Sequence, residues 1–401
     1  MTMKSIPKVI MLVDTSRVSG RKLIRGIAMY ARLHGPWLFN RQPMFNQYQE
    51  NAEISQSETK LLTHLKKWGA NGIIANNVNH KEQFDKLLNM GLPMAIVGSY
   101  LPQKSNARHL RMRSDSDAIG KLAAEHLLDR GYKNYAFCGY DFLNWSIDRG
   151  KGFAKRLAQN GIETYFYKQP KTLNKRRWVK EQFIMAEWLK PLPMPVGLMA
   201  CNDDRAQQVI EACKIANLHV PEQVAIIGVD DDEFVCDLAE PPLSSIPLDN
   251  KKTGFETASL LHKMMMGEKV QNKEIIVKPT HVVTRQSTNI LAIEDYDVAM
   301  ALRYIRQHSE TIIQVDDVLN IVSIGRRTLE EKLKKTIGRS IYSEISRCRV
   351  NQICQAIIET NQPISQIAFD FGYSSAAHIA RYFQRVKGMT PLEYRKRYGH
   401  H

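Results

Sequence analysis

Two patterns of apolar and polar positions divide the chain. From about residue 5 to 292, short apolar or β-branched runs alternate with stretches whose apolar residues recur at helical spacing. Val9–Val13, Gly72–Ala75, Met94–Val97, Tyr135–Cys138, Val196–Ala200 and Val224–Val229 read as strands. Between them, Arg21–Leu33 sets Ile24, Ile27, Ala28 and Ala31 on one helical face, and Ala118–Leu128 does so with Ile119, Leu122, Ala123 and Leu127. Gly152–Leu157 opens another helix, and Asp204–Ile215 is a fourth. Repeated strand–helix–strand order predicts parallel sheets with helices on both faces.

After Asp297 the strand signal stops. Val298, Ala301, Leu302 and Ile305 give one amphipathic helix, and Val315, Val318, Leu319 and Val322 a second. Ser323-Ile324-Gly325 is a turn, followed by a helix with Leu329 and Leu333 inward and Arg326, Arg327, Lys332 and Lys335 outward. Ile341–Glu359 is a long helix. The pattern then repeats: Ile364, Ile367, Ala368 and Phe371, a Gly372-Tyr373 turn, and a helix with Ile379, Tyr382, Phe383 and Val386 inside. A helix, a short turn containing glycine and a basic helix form a helix-turn-helix unit. A helical dimerisation bundle is the alternative.

Composition sharpens this division. A length of 401 residues suggests two or three domains, and 43% hydrophobic with 24% charged residues fits a globular chain. No apolar run approaches ~18 residues, so no membrane span is expected. The run Val9–Val13 is short and ends at Asp14, so no signal peptide is expected. The six cysteines form no C-x-x-C pair and read as reduced core residues. The net charge of +15 points to a polyanionic partner. Residues 298–401 hold 16 Lys and Arg against 9 Asp and Glu, so a quarter of the chain carries nearly half of that excess. The expected organisation is a body over 1–292, a short acidic join over 293–297, and a basic helical module over 298–398.

Polar residues cluster where the body's strands end: Asp14, Asn76 and Asn77, Gly139-Tyr140-Asp141, Asn202-Asp203-Asp204, and Asp230-Asp231-Asp232. Ligands of such sheets bind at the carboxyl ends of strands, so a polar cleft is expected. Loop solvation and helix capping are the alternative, with Asp203 or Asp204 as a cap. The cleft carries no enzyme signature. Gly150-Lys151-Gly152 lacks the third glycine of a dinucleotide loop, and no phosphate loop, nucleophile elbow or H-E-x-x-H occurs. The aspartate run has no companion ligands at metal spacing. No catalytic residue, metal or cofactor is therefore assigned.

Several segments carry a resemblance. Ala124-Glu125-His126-Leu127-Leu128-Asp129-Arg130-Gly131-Tyr132, Arg149–Phe153, Ala200–Asp204, Val220–Asp231 and Pro242–Ile246 resemble, in order and spacing, the sugar-binding domain of LacI/GalR-type regulators. The resemblance covers about 280 residues. It implies two α/β lobes of periplasmic-binding-protein type, joined by three crossovers around a sugar. The chain departs from that family by opening at the first strand, without the N-terminal DNA-binding segment. Carried over by motif, Arg149, Asn202 and Asp230 are sugar-binding residues. Trp145 and Phe142, placed on the loop before Arg149, are stacking candidates, and Asp14, Arg21 and Asn76 are further cleft candidates. A structural ion pair for Arg149, a turn cap for Asp230, core packing for Trp145 and a surface turn for Asp14 and Arg21 stay open. The chemistry suits a sugar: carboxylates and amides bridge hydroxyls, and arginine donates to two oxygens at once.

The tail Phe383–Arg395 and the doubled units resemble the all-α AraC-type DNA-binding domain. Leu319, Gly325 and His378-Ile379 depart from its usual pattern. Two basic helices on one module can enter successive major grooves about 34 Å apart. Arg326, Arg327, His378 and Arg381 are expected at base edges, with Ser375 also at the DNA. Lys332, Arg385, Lys387 and Arg395 are expected at phosphates. A LacI-type domain before an AraC-type module resembles sugar-responsive AraC-family regulators. That resemblance implies a cytoplasmic homodimer on double-stranded operator DNA, acting with RNA polymerase, as a D-xylose-dependent activator. Another pentose or aldose, and repression, stay open.

Overall fold

The computed structural model describes residues 6–41, 67–76, 85, 87–97, 109–271, 274–289 and 295–398. The body forms two parallel sheets. The first uses β1 (Lys8–Leu12), β2 (Leu38–Arg41), β3 (Gly72–Asn76), β4 (Met94–Val97), β5 (His109–Ser114) and, returning late in the chain, a final strand Glu274–Val277, in the order last strand–β5–β4–β3–β1–β2. The second lobe uses β6 (Asn134–Cys138), β7 (Thr164–Phe166), β8 (Val196–Ala200), β9 (Val224–Asp230) and β10 (Ser244–Pro247), in the order β10–β9–β8–β6–β7. Val196–Ala200 is buried at all five positions, as a strand covered on both faces must be. Helices Ser116–Leu128 and Asn144–Ala158 cover one face of the second sheet, and Trp178–Leu189 and Asp203–Ala216 the other.

The chain crosses between lobes three times: after β5, after β10, and after Glu274–Val277, where Val283 and Pro279 bridge back to Ser245 and Leu248. In the first lobe the helices Val18–Leu33 and Asn250–Met265 touch backbone to backbone. A Cβ on Gly26 would lie 1.8 Å from the Lys251 carbonyl oxygen, and one on Gly254 2.1 Å from that of Leu23, so only glycine fits.

The strands expected from sequence are present to within two residues at each end. The helix expected to open at Gly152 instead begins at Asn144, so Trp145 and Arg149 stand on a helix and not on a loop. Asn77 and residues 293–294 of the join lie outside the described residues. Asp295 and Tyr296 belong to the helical module: Asp295 caps the helix Tyr296–Gln307 by accepting from the Val298 amide at 3.2 Å.

The module is all-helical. Val315–Leu319 and Arg326–Ile337 form the first helix-turn-helix unit, and Ile364–Asp370 and Ala376–Lys387 the second. Ile341–Glu359 runs between them, and Pro391–Tyr398 closes the fold. Each unit has its own apolar core, one around Leu302, Leu329 and Leu333 and the other around Ile353, Ala368 and Phe383. Gly372 sits at φ +72°, in the left-handed region the turn requires, and Ala368 is buried in the unit's core.

Candidate functional site

The carboxyl ends of β1, β3, β8 and β9 bring the predicted cleft residues to the edges where the lobes face each other. Arg149, nearly buried, donates to the Cys201 carbonyl at 2.5 Å and meets the Asp230 carboxylate at 3.5 Å. Its guanidinium lies 4.9 Å from the Trp145 ring centre, a cation–π contact. Its Nε is buried with no hydrogen-bond partner. Burial pushes the Asp230 carboxyl up, opposed by Arg149 and Arg17. Trp145 is half-buried and packs on the lobe core, so the core alternative holds for part of its surface. Phe142 is exposed, beneath Arg176 at 5.3 Å. Asn76 ends β3, paired in register with Val97. Asp14 follows β1 and accepts from the Ser16 amide at 2.8 Å.

Asn202 has another duty. It caps the helix Asp203–Ala216, accepting from the Arg205 amide at 3.1 Å and donating to Asp204 at 3.1 Å. Asn202, and not the neighbouring aspartates, is thus the cap. Asp203 is fully engaged below the cleft, accepting from the Asp232 amide at 2.8 Å and from the Ser245 hydroxyl at 2.5 Å. Burial holds its carboxyl well above the usual range, with Asp230 and Asp231 adding to the rise.

The aspartate run is divided among three arginines. Asp230 meets Arg149, Asp231 meets Arg285 at 2.9 Å, and Asp232 meets Arg21 at 2.9 Å. Asp230 and Asp231 hold positive φ of 106° and 54°, strain of about 1–3 kcal/mol each that aims these side chains apart. The Asp232 contact crosses the cleft. Helix Val18–Leu33 begins after Arg17, whose side chain makes no cap. Asp232 of the other lobe supplies it, accepting from the Val18 amide at 2.9 Å and from Arg21 through both oxygens. Arg17 crosses too, meeting Asp204 at 2.9 Å. The Arg17 contact and the capping role of Asp232 leave no sign in the sequence, because their partners lie 187 and 214 residues away. A buried pair, Arg205–Glu181 at 2.7 Å, backs the cleft and holds the Tyr140 ring 4.8 Å from the Arg205 guanidinium.

On the helical module, Arg326 and Arg327 are exposed in the first turn of their helix. Arg327 pairs with Glu331 on the surface, at 3.1 Å. His378, Arg381 and Arg385 are exposed along Ala376–Lys387. Lys387 reaches Asn351 at 3.1 Å. Ser375 is the N-cap, accepting from the His378 amide at 3.2 Å. Lys332 meets Asp295 at 2.6 Å on the surface, and Arg395 donates through Nε to the Ile357 carbonyl at 3.2 Å. The first unit's leading helix has five residues against seven in the second, and Gly325 starts its second helix without a side-chain cap. Arg349, missed in the sequence, is buried between the units. It donates to the Tyr373 hydroxyl at 3.0 Å and to the carbonyls of Thr311 and Phe371.

Among the described residues no cluster of His, Cys, Asp and Glu could hold a metal, and no helix is long and apolar enough to cross a membrane. All six cysteines are buried and unpaired.

Comparison with known proteins agrees with this division. A periplasmic-binding-protein-like domain matches residues 124–288 and a helix-turn-helix domain residues 318–397. The xylose operon regulatory proteins of Haemophilus influenzae and Escherichia coli strain K12 are each 27% identical over 97% of this chain, covering 98% and 96% of their own lengths. The solved structure of the xylose-binding transcription activator xylR covers all of both chains with a TM-score of 0.59 and 25% identity. A transcriptional regulator CelR in complex with cellobiose matches 70% of this chain and 84% of its own, at 18% identity and a TM-score of 0.56, a likeness of fold. Over nearly its whole length, then, the chain is a homologue of the bacterial xylose operon regulatory proteins: a transcription regulator in which a periplasmic-binding-protein-like domain precedes a helix-turn-helix domain.

Proposed function

We propose that this chain is a D-xylose-responsive activator of genes for xylose catabolism. It would work in the cytoplasm as a homodimer on operator DNA together with RNA polymerase. The observation that carries the effector reading is the Arg149–Asp230–Trp145 group: a nearly buried guanidinium with its Nε unpartnered, beside a carboxylate and an aromatic face. A pyranose supplies what this group lacks, hydroxyls for the arginine and carboxylate and a C–H face for the indole. Asp14 and Arg17 approach from the other lobe, so sugar binding and lobe closure would be one event. The names of the full-length relatives support xylose over other aldoses and activation over repression. Residues 1–292 would be the sensing domain and 298–398 the DNA-binding domain. Arg326, Arg327, His378 and Arg381 would read bases, with Arg385 and Lys387 at phosphates.

A thermal-shift screen of pentoses and hexoses tests the effector, since a ligand at 100 times its Kd adds about 2.7 kcal/mol of stability. D-xylose should give the largest shift, and Arg149→Ala and Asp230→Ala should abolish it while the fold survives. A larger shift with another aldose would reassign the effector. An unchanged shift in both variants would remove the site. Transcription in vitro with purified polymerase decides the sign.

A further inference from the structure

The contact between the two domains is built on one acidic side chain. Asp129 is the C-cap of helix Ser116–Leu128 in the second lobe. A carboxylate there faces the negative end of the helix dipole, an unfavourable place unless cations offset it. Three arginines of the helical module do so. Arg306 donates to the Asp129 carbonyl at 2.6 Å, Arg347 reaches its carboxylate at 2.5 Å, and Arg339 meets its other oxygen. Arg339 and Arg347 are also held by Glu344, which is buried behind them at 3.1 and 2.6 Å. The two guanidiniums are thus fixed before they meet the lobe.

Asp129 also adjoins a hydrogen-bonded route from the cleft. Asp232, which caps the opposite lobe's helix, hangs by its amide on Asp203, and Asp203 accepts from Ser245. The next residue, Ser244, meets Thr288 at 2.7 Å, and Thr288 meets His126 at 2.8 Å. Arg130, the neighbour of Asp129, donates to the His126 carbonyl at 3.0 Å and to the Thr288 carbonyl at 2.5 Å. His126 is four residues before Arg130 on the same helix end, so a shift of Ser244 and Thr288 moves the base under Asp129.

We propose that Asp129 is the docking point through which the state of the cleft is passed to the DNA-binding module. The element with two states is the lobe pair, since Asp232 caps the Val18 helix only when the lobes meet. This inference rests on the effector reading above for its trigger, whereas the docking contact stands on geometry alone.

The test uses the full chain with Asp129→Asn, which keeps the shape and removes the charge. Arg339→Gln serves as a second variant at a partly exposed position. Hydrogen exchange of the Ile341 helix start and of the Ser116 helix end is measured without sugar, and operator affinity with and without D-xylose. Both variants should exchange faster at those two places. The sugar effect on operator affinity should fall from the roughly 5–150-fold usual for coupled sites to below about threefold. Affinity for D-xylose should be nearly retained. Unchanged exchange in both variants, or a full sugar effect in both, overturns the proposal. A wild-type chain whose operator affinity ignores D-xylose sinks the effector reading instead, and the exchange measurement then decides the docking contact by itself.

Discussion

Asp232→Ala is the most direct probe of how the lobes are held together. The side chain accepts from the Val18 amide and twice from Arg21, all at 2.9 Å and all across the cleft. A hydrogen bond to a charged group contributes about 1.5–3 kcal/mol, and a lost helix cap costs about 1 kcal/mol. These terms share one carboxylate and do not add. The Arg21 side chain is 32% exposed, so water replaces part of what it loses. Its hydrogen bonds to the Thr15 and Ser16 carbonyls lie within its own lobe and survive. A net loss of about 2–3 kcal/mol in the closed state follows, which is roughly 30–150-fold in the closed-to-open ratio. Sugar that binds the closed form then has its apparent affinity lowered by up to the same factor. Calorimetry with D-xylose and small-angle scattering of the sugar-free protein check both consequences. An unchanged Kd together with an unchanged scattering profile would refute the role given to Asp232.

Three further outcomes are expected. Arg347, Arg339 and Arg306 outweigh the burial of Glu344 and bring its carboxyl down to about 2, so its stabilising contribution is complete above 4.5 and vanishes as pH falls through 2. Glu344→Gln should therefore lower stability on the order of 3 kcal/mol at pH 7 in urea unfolding, with a gap that narrows towards pH 3. Burial raises Asp249 to about 6 against the pull of Lys252; its ionised form is disfavoured in the fold, and stability is lost as pH rises through 6. Asp249→Asn should stabilise by about 1–3 kcal/mol at pH 8 and by nothing measurable below pH 4. A fragment from Asp295 to His401 should fold alone, since both apolar cores close within it, and bind DNA with an affinity that drops steeply with salt. A folded fragment with no DNA affinity at low salt would count against the interface.

The residues made the architecture readable where each element's own neighbours decide it. Val196–Ala200 and Met94–Val97 are apolar at nearly every position because both faces of their sheets are covered, and the two glycine turns announced the paired helical units. Elements whose logic lies elsewhere were missed. His109–Ser114 carries Arg111 and Arg113 outward and reads as a loop, and Trp178–Leu189 buries Glu181 because Arg205 meets it in the fold. Trp145, expected on a loop, shares with Arg149 a helical face towards the cleft. Lys332 gives no sequence sign of its pair with Asp295, 37 residues away. Asn202 matched a binding position by motif, whereas only the backbone reveals that its oxygen is taken by the Arg205 amide. Partners that lie in other elements leave no local mark, and Arg17, Asp232 and Asp129 are of that kind.

Arg349 bears on how much each DNA-reading unit has to achieve. By tying the Thr311 and Phe371 backbones to one buried guanidinium, it makes the two units a single body. Once the second unit is seated, the first meets its own stretch of duplex as an intramolecular neighbour, at an effective concentration of millimolar order or above. A reader that would be useless alone still adds to the total avidity under that condition. This accounts for how the first unit can tolerate a second helix without a side-chain cap. It also places the tolerance for sequence drift in the operator: substitutions under the first unit should be forgiven more readily than a change in the number of base pairs between the two stretches, which no movement of a rigid body can follow.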